Sequence, residues 1–548
     1  MDLLLKGGQI VDGTGKAKFA GNIGIKDGRI HGLYPIDRTP CATTTIDISD
    51  RIVAPGFIDI HSHSDLIATL PPAKQRELLE GKIRQGITTE IVGNCGLGRF
   101  PTTAASAYLA EAICGFLTPQ GVPEIGYSMG DYLCLLEKQG VVVNIGTLAP
   151  HGPIRLATAG LDTRPSNSET LNAATRMVDQ ALSEGAFGLS FGLIYPPGIY
   201  TATDEITRLA APVARADGMV TFHQRSGSPE LLERSIEEIL SVGRRAGVHV
   251  HLSHEHAQGR HTLEEVKKLL AFSERARDEG IDYTQDLIPY TTAQTTLLAL
   301  YPPWSLAGGI PGWCKLAQDP QERRKMDREI ETVIPQWPPW QAPNWPTNIV
   351  RDVGYAAIRI AECGTAPQTV GYTLVELGAK QNQSPFDAMT DLLIRSEGQV
   401  TMSVDGISGM AGEDSPLELL IADPHRAIVS DAWDLGRGRP HPGAYGAFPK
   451  VFRHYVRERR LLDLPEAVRK LTSLPARIAG IKGRGTLEKG AWADIVVFDA
   501  DKIHDRATEE KPRSFPEGIH LVLVNGTPIF QEGAIAPVTA GHVLRKGR

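Results

Sequence analysis

The feature that most constrains this chain is an eightfold alternation through its middle. Short apolar runs recur at 56–63, 88–95, 141–152, 185–193, 218–225, 247–256, 281–290 and 426–431. Helix-like stretches such as 167–185, 228–247 and 262–280 lie between most of them. Near-continuous apolar strands alternating with helices are the pattern of a parallel sheet buried on both faces. Eight such units predict a closed (β/α)8 barrel, an α/β fold. The two ends differ in texture: residues 1–55 and 481–548 are short strands punctuated by GG, DG and NG turns, which predicts one discontinuous β domain built from both termini. The barrel is then expected over 56–480. Two connections, 96–140 and about 291–425, are too long for plain turns. They carry most of the excess of this 548-residue chain over a barrel of roughly 250 residues, and are read as the wall and lid of a pocket.

Composition narrows the class of function. The net charge is −7, which argues against nucleic acid as a partner, since phosphate binding needs a basic surface. No apolar run reaches the roughly 18 residues of a membrane span, so no membrane partner is expected. The start, MDLLLKGGQIVDGTG, reads as a strand and turn rather than a secretory signal. Six scattered Cys suit a reduced, cytoplasmic setting better than a disulfide framework. The oligomeric state is left open, a homo-oligomer included.

The chemistry gathers at the strand ends. In a parallel barrel the active site forms at the C-terminal ends of the strands. There this sequence places His61 and His63, Cys95, His223, His254 and Asp431. His61 and His63, two apart, are expected on one side of a strand. Any one of these alone reads as a structural residue. Six at matching strand ends read as a metal site, and imidazole, thiolate and carboxylate together suit Zn²⁺. Asp431, beside the metal, is the expected general base and acid.

The motifs carry a family resemblance over nearly the whole chain. APGFIDIHSHSD (54–65), GITTEIVGNCGLG (86–98), LSHEHAQG (252–259), RPHPGAYGAFPKVFRHYVRE (439–458) and LTSLPARIAGIKGRGTLEKGAWADIVVFD (471–499) resemble the amidohydrolase superfamily, in its N-acyl-D-amino-acid deacylase (D-aminoacylase) branch. The resemblance implies a TIM barrel with a small β-sandwich and a zinc-dependent hydrolase of a linear amide bond, acting on a small-molecule substrate. It also implies that Cys95 stands where other members carry a carboxylated lysine. Cys95, His223 and His254 would hold a tight metal, and His61, His63 and Asp431 would line a second, weaker position.

The departures from that branch fall in the substrate pocket. His256 replaces a lysine, Ile288 replaces a tyrosine, and Gly443 replaces an arginine. Candidate substrate-binding residues are Tyr195, Arg225, His256, Ile288, Tyr290, Trp433 and Arg437. The lost cations motivate an alternative, hydrolysis of a neutral or aromatic amide, carbamate or urea. A cyclic amidohydrolase and a non-catalytic relative rank lower. The Trp-rich stretch 335–346 is a further candidate to close over the mouth.

Overall fold

The computed structural model describes residues 1–338, 340–341, 343–412 and 415–547. Eight parallel strands form the barrel: Phe57–Asp59, Ile87–Val92, Asn144–Thr147 continued by Ala149–Pro150, Gly188–Gly192, Met219–His223, His249–Leu252, Tyr283–Leu287 and Arg426–Ile428. The third strand breaks at Leu148, pairing with the second strand before the break and with the fourth after it. The ring closes between strands eight and one. The Asp431 N–H donates to the His61 carbonyl (3.0 Å), and Ser430 donates through its N–H and its hydroxyl to Asp59. All eight expected strands are present, because strands covered on both faces are apolar enough to stand out. Ile58, Ile60, Ile91, Leu148, Ile288 and Val429 fill the interior. Helices such as Ser168–Ser183, Leu232–Ala246 and Leu263–Asp278 cover the outside, each burying its apolar face.

Both termini join one nine-stranded β domain, in which Ile495–Phe498 runs antiparallel to Ile52–Pro55. The strand Leu3–Ile10 pairs Thr44–Asp47 with its first half and Ile52–Pro55 with its second. It bends between them at Gly7-Gly8, and Gly7 supplies the left-handed backbone (φ +90°) for that bend. Past the last strands the tail returns to the barrel, where Gly541 and Val543 bridge to Val141 and Ile145.

The long connection after the seventh strand has its own architecture. Thr292–Thr296, Val400–Asp405 and Ile358–Cys363 form an antiparallel sheet. They pack with surrounding helices on a separate core that includes Trp313, Trp345, Phe386 and Met389. Among the described residues no helix is long and apolar enough to cross a membrane.

Candidate metal centre and its cavity

The formal first strand ends at Asp59 and the eighth at Ile428. His61, His63 and Asp431 therefore sit on the loops beyond, not within the strands, and simple alternation does not set their direction. Backbone geometry does. Cys95, His254 and Asp431 adopt left-handed backbone, with φ of +55°, +35° and +45°. Such conformations are unfavourable for side chains of this kind and concentrate at functional sites. Here each one turns the chain sharply at a strand end, so that the side chain faces the barrel axis.

All six predicted ligands converge. The Cys95 Sγ lies 3.3 Å from His61 Nε2, 3.4 Å from His254 Nε2 and 3.7 Å from His223 Nδ1. An Asp431 Oδ1 lies 3.4 Å from His61 Nε2 and 3.3 Å from His63 Nε2. Three triads have ligand atoms within 4.8 Å of one another: His61/His63/Cys95, Cys95/His223/His254 and His61/His254/Asp431. Cys95 belongs to two of them. It can reach so far because the fourth strand ends in glycine: a Cβ on Gly192 would meet the Cys95 carbonyl at 1.9 Å. Ser190 fixes the same loop, donating to the Gly93 carbonyl and accepting from the Gly96 N–H.

The electrostatics are those of a cation site. Burial alone would raise the Cys95 thiol, but His61 and His254 beside it hold it well below the ordinary thiol value. Burial likewise opposes ionisation of Asp431, and His61 and His63 overcome it. His63 is carried up to about 9 against its burial by Asp431 and Cys95. A buried thiolate and carboxylate thus draw positive charge onto His61, His63 and His254, the place a divalent cation takes when such donors bind it. The donor set fits Zn²⁺: soft thiolate, imidazole nitrogen and one carboxylate at tetrahedral reach.

A second layer orients these ligands, and Asp286 is its centre. It accepts from the His254 N–H (2.5 Å) and faces His251 Nε2 at 2.8 Å. His61 Nδ1 lies 3.7 Å away. Those histidines hold the Asp286 carboxyl far below the usual range despite its burial. Behind the first strand, buried Lys82 pairs with Glu90 and reaches Ser62, whose hydroxyl also meets Ser64. Sequence reading missed Asp286, His251, Lys82 and Glu90. The available signal was acids at buried positions of otherwise apolar strands.

A cleft enclosing about 650 Å³ of empty space, part of it open solvent, lies at the centre. The connection 96–140 lines it with Leu97, Phe116 and Leu117. The long insertion lines it with Ala293, Gln294, Thr295, Ile349, Val404 and Ile407. Of the candidate substrate residues, Tyr195, His256, Ile288 and Trp433 line it too. The Tyr195 hydroxyl shares a 2.8 Å hydrogen bond with Thr295. Burial pushes His256 down to about 3, so it is neutral there. Among the described residues no lysine or arginine lines the cleft.

Three candidates lie elsewhere. Arg225 is fully buried, pairs with Glu238 through two nitrogens and donates to the carbonyls of Ile199 and Thr201. The strand ends at His223, and the turn after it carries Arg225 away from the axis. Arg437 pairs with Glu362 at 2.5 Å. Tyr290 packs on His441 under the Lys450 ammonium, because Pro289 breaks the alternation past Leu287. Of the Trp-rich stretch, Pro339 and Ala342 lie outside the described residues; Trp337 and Trp340 pack beside Arg225, and Trp345 lies in the insertion core. Glu255 is taken up by Arg426.

The chain's likeness to known proteins agrees with this geometry. The model of the Amidohydrolase family matches residues 342–530. An N-acyl-D-glutamate deacylase of Alcaligenes xylosoxydans xylosoxydans is 32% identical over all of this chain and 97% of its own length. The crystal structure of N-acyl-D-glutamate deacylase from Bordetella bronchiseptica, complexed with zinc and a phosphonate mimic of the tetrahedral intermediate, superposes with a TM-score of 0.81. It is 30% identical and covers 100% of this chain and 99% of the other. A D-aminoacylase structure concerned with that enzyme's binuclear metal centre gives 0.79 at 27% identity, covering 99% of each chain.

Proposed function

The chain belongs to the amidohydrolase family, in the N-acyl-D-amino-acid deacylase branch, and from that membership we propose that it deacylates N-acyl-D-amino acids with apolar rather than acidic side chains. That it is a metal-dependent hydrolase of a linear amide C–N bond follows from the branch and from its donor set. Cys95, His223 and His254 would hold the tight zinc, with His61, His63 and Asp431 around a second position. When bound, zinc supplies a Lewis acid that polarises an amide carbonyl and brings the pKa of water towards about 7.

The rest is the work of this chain's own groups. Asp431 is kept ionised by His61 and His63, so it accepts the proton of the attacking water. It then returns that proton to the departing nitrogen, which leaves as a neutral amine. Asp286 holds the His254 backbone and faces His251, and the Lys82–Glu90 pair anchors Ser62, between His61 and His63 in the chain. Leu97, Phe116 and Trp433 wall off bulk water. Ile288 offers no donor to the carbonyl.

The observation that carries this reading is the convergence of Asp431 with two imidazoles opposite Cys95. The apolar preference rests on the lining, which beside Gln258, Gln294 and Thr295 is largely aliphatic and aromatic and, among the described residues, holds no lysine or arginine to pair with an acidic side chain. The same absence supports a second reading, a carboxylate-free amide. Turnover of N-acetyl-D-leucine, its L enantiomer, N-acetyl-D-glutamate and N-acetyl-D-leucinamide on one zinc-assayed preparation separates them. The proposal expects N-acetyl-D-leucine to lead. Faster turnover of the amide selects the second reading, and preference for the glutamate rejects both.

A further inference from the structure

Beside the catalytic cavity lies a second cleft enclosing about 600 Å³ of empty space, part of it open solvent. Its walls are Leu161, Leu298, Leu306, Ile310, Ile113 and Pro196. Thr296, Gln399 and the Tyr195 hydroxyl are its polar groups, and among the described residues no charged side chain lines it. Leu97, Phe116 and Tyr195 line both spaces, so the two adjoin across these side chains. Leu161, Leu298, Ile310 and Ile113 are each only half-buried. A contiguous apolar cleft left partly open to water is a mark of a ligand site.

The cleft's direction indicates which part of a substrate enters it. Asp431 must reach the departing nitrogen, so the amine side of the substrate faces the eighth strand. The group on the other side of the carbonyl then points away from Asp431, towards Leu97 and Tyr195, past the second and fourth strands. That is where the cleft opens. We infer that this cleft binds the acyl chain of the substrate, and that the acyl group is an extended aliphatic chain rather than acetyl. The inference rests on the deacylase reading above and deepens it. The chemistry of the wall selects the class: a flexible hydrocarbon with no charge and no fixed polar group. Each added methylene buried there improves kcat/KM by about fourfold until the cleft is full.

The test compares kcat/KM for N-acetyl, N-hexanoyl and N-decanoyl derivatives of one D-amino acid, below their micellar concentrations. The zinc-loaded enzyme is compared with Ala299→Trp and Ala112→Trp. Both alanines line the cleft, on separate elements, so one failure to fold does not end the test. The expected decanoyl-to-acetyl ratio exceeds 100 and falls at least tenfold in each folded variant. Acetyl turnover with no gain from chain length overturns the inference while leaving the deacylase reading intact. No turnover at any chain length, with zinc bound, overturns that reading itself. Variants that discriminate instead by the size of the amino acid's side chain assign the cleft to the amine, and a dimer lost in both variants assigns it to a second copy; either result overturns the inference.

Discussion

Replacing Asp286 by Asn separates holding the metal from holding the fold. Its Oδ1 accepts from the His254 N–H at 2.5 Å, its Oδ2 faces His251 Nε2 at 2.8 Å, and His61 Nδ1 is 3.7 Å away. Asparagine keeps the first acceptor, so the loop that carries His254 stays in place. It loses the second: an amide NH2 then faces the imidazole N–H groups of His251 and His61. The ring of His61 loses the anion that orients it, and the site loses one buried negative charge. Changes of this kind behind a metal ligand cost 10–100-fold in affinity, about 1.4–2.7 kcal/mol. The measurement is competition for zinc with a chromophoric chelator at fixed pH, alongside denaturant unfolding of the metal-free protein. A rise of 10–100-fold in the zinc dissociation constant is expected, with unfolding changed by only about 1–3 kcal/mol for the unpaired donor. A dissociation constant within twofold of wild type, with stability reduced, would refute the reasoning. Asp286 would then merely tie the sixth strand to the seventh.

Two further outcomes follow from buried charges. Arg225→Met strands Glu238 without its partner and should cost about 3–5 kcal/mol of stability, restored in part by Glu238→Gln; a selective loss on carboxylate substrates at unchanged stability would return Arg225 to the substrate pocket. Lys470 is buried and donates to the Asp423 carbonyl, and burial pushes its ammonium down to about 7, against about 10.4 in the unfolded chain. Between those values the unfolded chain holds a proton that the folded one lacks, so stability rises with pH by about 1.4 kcal/mol per unit. Relative to Lys470→Met, wild type should gain about 2–3 kcal/mol from pH 7 to pH 9 and change little below pH 6. Urea titrations across that range check it, and a pH-independent difference contradicts it.

The barrel was legible in the sequence because its strands are buried on both faces and read as apolar runs, from Ile87–Val92 to Arg426–Ile428. That the six candidate ligands would converge was legible because a parallel barrel gathers strand ends at one mouth, whatever their separation in sequence. Less of the pocket could be read. Gln294, Thr295 and Val404 reach it from an antiparallel sheet in the insertion, and no periodicity says which face of that sheet looks inward. Arg225 and Tyr290 were misplaced for a related reason. Both lie past the last paired residue of a strand, where the period of two no longer sets direction. Asp286 and Lys82 escaped notice because a single polar residue in a strand or short helix has no spacing to reveal its partner.

The most direct measurement is the zinc content and kcat of Asp431→Asn on one preparation. Cys95, His223 and His254 are untouched by the change, so one tightly held zinc should remain. Loss of the group that moves the proton should lower kcat by about 10²–10⁴-fold. A variant that keeps its zinc and works within tenfold of wild type would contradict the role assigned to Asp431 and the mechanism built on it.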